Sequence, residues 1–233
     1  VTPHFLAKAG LGEAALEELT RCAVACCNEA RNGFLAASQQ AGAKTKRPLI
    51  AGSLPPAGAT YCAAPAEDAR AFYAKLVSIF SSAPIDVLLG ETLASAEEAL
   101  ACLGAANESS LPLWVSFTLR DLAPGCEPKL RGGQRLASAV AALLEADRER
   151  RKLAAIIINC CAPATAGHAL ATLSKQLEGE RDADGIALGA YANGFATTTS
   201  EWLGDGEGEG DRLLRQSAED FDSATGVIKA NRL

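Results

Sequence analysis

The chain has 233 residues, 48% hydrophobic and 21% charged, with a net charge of −6 and an isoelectric point near 5.1. That suits one large α/β domain or two small ones. The acidic balance argues against a nucleic-acid backbone or an anionic membrane surface as main partner. No basic run exceeds Lys44–Arg47, no apolar run reaches bilayer length, and no signal-peptide pattern opens the sequence.

Eight cysteines (Cys22, Cys26, Cys27, Cys62, Cys102, Cys126, Cys160 and Cys161) read as reduced thiols, which places the protein in a reducing compartment, the cytosol. Methionine is absent altogether, although about five would be ordinary for this length. The expectation is a native polypeptide longer than these residues.

In chain order, Gly12–Asn32 carries Leu16, Leu19, Cys22, Ala23, Cys26 and Cys27 at helical spacing. This predicts an amphipathic helix with Cys22 and Cys26 on its inner face as small core hydrophobes. A repeating unit follows. RPLIAGSLPP (47–56), IDVLLGETLA (85–94), LPLWVSFTLRD (111–121), AAIIINCCAP (154–163) and GIALGAYANG (185–194) each begin as an apolar run. Each ends in polar or small residues, as buried parallel strands do.

Helical patterns fill the gaps at Glu67–Ser81, Ser95–Leu103, Arg135–Arg150 and Thr165–Leu177. Ser95 with Glu98 three residues on reads as a capping box. Five βα units in a row favour a (β/α)8 TIM barrel or a doubly wound sheet. No G-x-G-x-x-G follows the first strand, and polar residues gather at all five strand ends, so the barrel is preferred. Beyond Gly194, GDGEGEGD (204–211) reads as an acidic mobile loop, Glu201–Ser217 as flanking helix ends, and Gly226–Ile228 as the start of a further strand.

Five of these pieces, AGSLPPAGATY (51–61), DVLLGETLASAEEAL (86–100), PLWVSFTLRD (112–121), INCCAP (158–163) and GAYANG (189–194), occur in the order and spacing of the homocysteine S-methyltransferase family, which the chain resembles. The resemblance implies a single homocysteine-binding (β/α)8 barrel domain over residues 1–233, of which strands three to seven are identifiable. It implies a zinc ion held by three cysteine thiolates at the carboxyl-end face. One of them, from an Asn-Cys at the sixth strand, is Cys160. The family's Gly-Gly-Cys-Cys at the eighth strand and its opening strands have no counterpart here.

The resemblance further implies that Glu91 holds the substrate's ammonium group. A carboxylate directly after an apolar strand is costly unless paired, although a salt bridge to a neighbouring loop would also serve. Ser53, Ser116 and Phe117 are expected to line the same mouth, with Ser116 suited to the substrate carboxylate. Ser53 would equally cap a turn before Pro55-Pro56. Asn159 and Asn193 are expected to orient ligands, although Asn193-Gly194 is also a good turn pair and Asn159 would also satisfy strand-end backbone. Cys161 is expected to pack inward, His168 to lie at the surface, and Tyr61 or Tyr191 to meet donor or substrate.

The function implied is zinc-dependent methyl transfer to homocysteine from S-methylmethionine, S-adenosylmethionine or betaine. Its partners would be these small molecules, with neither nucleic acid nor membrane. Two alternatives stand beside it. One is a catalytically inactive relative that binds an amino acid or serves as a structural subunit. The other, ranked last, is an unrelated phosphate-binding barrel.

Overall fold

The computed structural model describes residues 2–12, 14–58, 65–121 and 125–194. Tyr61, Cys62, the acidic 204–211 segment, the expected helix ends at 201–217 and the expected strand start at 226–228 lie outside the described residues. The elements in order are α1 (Pro3–Lys8), α2 (Ala14–Gln40), β1 (Ala51–Leu54), α3 (Ala66–Ser81), β2 (Val87–Leu93), α4 (Ala96–Ala106), β3 (Leu113–Thr118), α5 (Leu136–Asp147), β4 (Leu153–Asn159), α6 (Pro163–Leu177) and β5 (Ala187–Tyr191). All five expected strands form, four inside their sequence windows and β4 starting one residue ahead of its window, at Leu153.

The strands make one parallel sheet in the order β1-β2-β3-β4-β5. A doubly wound sheet reverses its order at a switch point. This one does not reverse, and right-handed crossovers then put every connecting helix on the same side. The sheet also curls. The Tyr191 hydroxyl on β5 lies 3.4 Å from Glu91 Oε1 on β2, two strands that a flat sheet would hold ~14 Å apart. Sequential order, parallel pairing and curl make this an arc of a (β/α)8 barrel.

Alternation gives the sheet two faces. Leu113, Val115 and Phe117 of β3, with Ile156 and Ile158 of β4, are fully buried against the helices. Helix α3 approaches β1 so closely that a Cβ on Gly52 would meet Phe80 Cδ2 at 2.9 Å, and Ile85 Cδ1, from just before β2, at 2.6 Å. The sequence puts glycine where the helix layer leaves no room. The opposite face carries Ser53, Glu91, Ser116, Asn159 and Tyr191 toward the barrel interior.

Two helix starts show how the ends are satisfied. Ser95 caps α4, its hydroxyl accepting from Glu98 N at 3.2 Å. The Glu98 carboxylate reaches one residue further back than a capping box requires and accepts from Ala94 N at 3.0 Å. Pro163 opens α6. Asp121, from beyond β3, accepts from Ala162 N at 2.8 Å and from the Thr165 hydroxyl at 2.9 Å.

Helix α2 corrects one expectation. Its buried residues are Leu16, Thr20, Val24 and Arg31, while Cys22 and Cys26 are exposed, as is Cys27. Arg31 takes an inner place because its guanidinium pairs with Asp86 at 2.6 Å. Asp86, just before β2, also accepts from Arg47 Nη1 at 2.8 Å and Ile50 N at 2.7 Å. An ion pair at the foot of the sheet, rather than the apolar stripe, decides which face of α2 turns inward.

Candidate functional site

The site lies at the carboxyl ends of the strands. Ser53 Oγ donates to Glu91 Oε2 at 2.6 Å, and the Tyr191 hydroxyl donates to Oε1. Both oxygens of the carboxylate are thus hydrogen-bonded by neutral groups. No cationic side chain among the described residues pairs with it. Among the described residues, Ser53 caps no turn and Glu91 makes no salt bridge to a loop. Burial pushes the Tyr191 phenol above its ordinary value; Ser116 opposes the rise, while Glu91 and Cys160 add to it. The phenol therefore stays a neutral donor at physiological pH.

Ser116 and Asn159 are fully buried; Ser116 Oγ faces the Tyr191 phenol, and Asn159 Oδ1 lacks a hydrogen-bond partner among the described residues. Orphaned buried oxygens are rare in folded proteins and call for an explanation. The Asn159 amide is oriented with Nδ2 toward Thr92 Oγ1, at 2.8 Å, which also places Nδ2 3.4 Å from Cys160 Sγ.

Cys160 is half-buried and has a left-handed backbone, φ +50°. Its carbonyl accepts from the Thr118 hydroxyl at 3.2 Å and from Arg131 Nη2 at 3.3 Å, and Arg131 Nε donates to Thr118 Oγ1 at 3.2 Å. Its sulfur stands 3.8 Å from Thr92 Oγ1. Four side chains from β2, β3, β4 and the loop after β3 thus converge on one cysteine. Arg131 gets there because its loop docks tightly: Gly132 N donates to Ala94 O at 2.8 Å, and a Cβ on Gly132 would meet that oxygen at 2.7 Å. Cys161, by contrast, is fully buried in the core. Burial, with Asp121 adding to it, pushes its thiol up to about 12.

The structure brings together Ser53, Glu91, Ser116, Asn159 and Cys160. Asn193 lies beside them, its backbone N–H donating to Cys161 O at 2.9 Å. Phe117 does not join them. It is 0% exposed in the hydrophobic core, on the opposite face from Ser116. Consecutive residues of a regular strand cannot share a face, so the sequence itself held the signal. His168 is exposed, its Nε2 3.1 Å from Cys126 O. Thr92, Thr118 and Arg131 were missed; the first two are polar strand-end residues, but no local signal marks Arg131.

As a metal centre, the donor set supplies one corner. Cys160 is a thiol at the mouth, a suitable zinc ligand. No group of three His, Cys, Asp or Glu stands together among the described residues. A tetrahedral site open to substrate would draw its other protein donors from elsewhere.

A model of the homocysteine S-methyltransferase family matches residues 1–226. The chain belongs to this family. Among solved structures it is similar to the homocysteine methyltransferase MmuM from Escherichia coli. The apo form matches at 28% identity and a TM-score of 0.59, covering 82% of this chain and 72% of that one. The metallated form matches at 26% identity and a TM-score of 0.60, covering 85% and 72%. No curated protein matches. Family membership accounts for a parallel arc with its polar residues gathered at the strand ends. Among the described residues, no helix is long and apolar enough to cross a membrane.

Proposed function

We propose that this chain, as a single homocysteine-binding domain of the cytosol, transfers a methyl group from a sulfonium or ammonium donor to homocysteine and yields methionine. The donor is S-methylmethionine, S-adenosylmethionine or betaine, and zinc is the cofactor. The homocysteine sulfur forms the new S–CH3 bond and gives up its proton. The donor's S–CH3 or N–CH3 bond breaks, and its electron pair stays on the donor heteroatom, which leaves neutral.

Glu91 carries this reading. It is an ionisable strand-end carboxylate with two hydroxyl donors and, among the described residues, no cation, and it shares the mouth with the buried, unpartnered Asn159 Oδ1. A carboxylate so placed is balanced by an ammonium group from outside the protein. The α-amino group of homocysteine supplies it, with Asn159 Oδ1 as a second acceptor. Ser116 is placed to donate to the substrate carboxylate, and Asn193 flanks it on the β5 side. Ser53 and Tyr191 hold Glu91 in place, so the amino acid is aligned before reaction, which is how positioning lowers a displacement barrier. The Tyr191 ring offers an aromatic face to a cationic donor, worth about 0.5–2 kcal/mol.

Cys160 is the zinc ligand among the described residues. Bound zinc supplies a substrate sulfur that is a thiolate at neutral pH. The metallated form of the Escherichia coli neighbour supports a metal in this fold.

Methionine formation from homocysteine and each of the three donors, with zinc quantified per chain, tests the proposal. The expected result is turnover with one donor and about one zinc per chain, both lost in Cys160→Ser. Homocysteine binding without zinc or turnover would instead favour the inactive relative.

A further inference from the structure

Thr92 and Cys160 are two of the three non-glycine described residues with positive φ, at +59° and +50°. The third, Arg151, lies in the turn before β4 at the other end of the sheet. A β-branched residue is poorly suited to this region, where glycine would sit without strain. Thr92 is also 8% exposed and touches the other strained residue, Oγ1 to Sγ 3.8 Å.

The strain has a local result. The register of β2 against β3 slips between Gly90 and Leu93. In a regular strand Thr92 would turn to the helices and Leu93 to the interior. The irregularity reverses this: Leu93 is fully buried in the core, and Thr92 joins Glu91 on the mouth side. Irregularities of this kind re-aim side chains beside sites.

The hydroxyl is used as well. Asn159 Nδ2 has two protons; one goes to Thr92 Oγ1 at 2.8 Å, and the sulfur lies 3.4 Å from the same nitrogen. Having accepted from Asn159, Thr92 Oγ1 keeps its own proton for the sulfur. Cys160 Sγ thus meets donors on two sides, while Thr118 and Arg131 fix its carbonyl.

We propose that Thr92 is a positioning residue: its left-handed backbone and its hydroxyl fix the Asn159 amide and aim the Cys160 sulfur into the mouth beside Glu91. Glycine would relieve the backbone but lose the hydroxyl; valine would keep the shape but lose the hydrogen bonds. The kinetic consequence rests on the methyl-transfer reading, whereas the orientation of Cys160 does not.

The full chain with Thr92→Val, Thr92→Ser and Thr92→Gly is tested for kcat, homocysteine KM and thermal midpoint. The Cys160 rotamer is read in crystals grown with and without chelator. Thr92→Val is expected to lower kcat about tenfold or more with KM changed less than about twofold. Thr92→Ser recovers most of that loss. Thr92→Gly raises the thermal midpoint yet keeps the low kcat, a split that a purely structural role does not produce. In chelated crystals the valine variant shows Cys160 in more than one rotamer. Wild-type kcat in Thr92→Val, or a single unchanged Cys160 rotamer there, overturns the proposal. If the wild-type chain is itself inactive with every onium donor, the methyl-transfer reading fails and the rotamer decides alone.

Discussion

Two carboxylates bracket strand β2, Asp86 just before it and Glu91 near its end, and they keep opposite company. Asp86 accepts from two guanidiniums and a backbone N–H. Burial alone would raise its carboxyl, but the Ile50 N–H and the charges of Arg47 and Arg31 outweigh it and hold it below the ordinary carboxylate range. Among the described residues, Glu91 accepts only from the hydroxyls of Ser53 and Tyr191. Asp86 therefore belongs to an ion-pair lock that ties α2 to the sheet. Glu91 is held in position by neutral hydroxyls, with no cation beside it among the described residues. Within one strand, the amino end is built for stability, and on the proposed reading the carboxyl end takes a ligand, the division of labour expected of barrel faces. Two of the three described non-glycine residues with positive φ, Thr92 and Cys160, stand at the open end, each at an expense on the order of 1–3 kcal/mol; Arg151 stands at the other.

Four perturbations break or sharpen this contrast. Glu91→Gln has the largest expected effect: kcat/KM for homocysteine falls about 100-fold, the worth of a charged hydrogen bond at the reaction end. Its thermal midpoint holds or rises, read by steady-state kinetics beside thermal unfolding. A fall in activity with a matching loss of stability would make Glu91 structural, like Asp86.

Asp86→Asn should do the reverse. It strips two guanidiniums of their partner and loses about 2 kcal/mol in urea unfolding, with homocysteine KM unchanged. An altered KM would mean the two ends of β2 are coupled.

The contribution of Asp86 is also pH-dependent with a definite sign. Its folded pKa is depressed, so the stabilisation is complete above the unfolded value of about 3.9 and fades as pH falls through the lower folded value. The midpoint difference between wild type and Asp86→Asn should therefore be flat above about pH 5 and shrink in acid. A difference that grew on acidification would contradict the ion-pair account.

Ser53→Ala is the mildest. It removes one of two hydroxyls from Glu91 and raises homocysteine KM about threefold to tenfold, less than a full charged hydrogen bond's worth because Tyr191 still holds the carboxylate. No change at all would mean that Tyr191 alone suffices to hold the carboxylate.

Much of this was legible in the sequence, for identifiable reasons. Apolar runs separated by helical patterns foretold all five strands and the parallel sheet, since both signals are local periodicities. Polar strand ends marked Ser53, Glu91, Ser116, Asn159 and Cys160. The inner face of α2 was misread because its apolar stripe ignores Arg31, whose partner lies 55 residues away. Phe117 was misplaced although period-two alternation already set it opposite Ser116.

The sequence by itself determined the order of the elements, the family, and which strands would end in chemically useful side chains, because each of these is written in local pattern or in motif spacing. Only the tertiary structure decided that Tyr191 reaches Glu91, 100 residues away, that Arg131 backs Cys160, and that Thr92 turns toward the mouth. Those contacts depend on curl, on loop docking and on a slipped register. Each is a property of strands packed together, and none is fixed by the residues of a single segment.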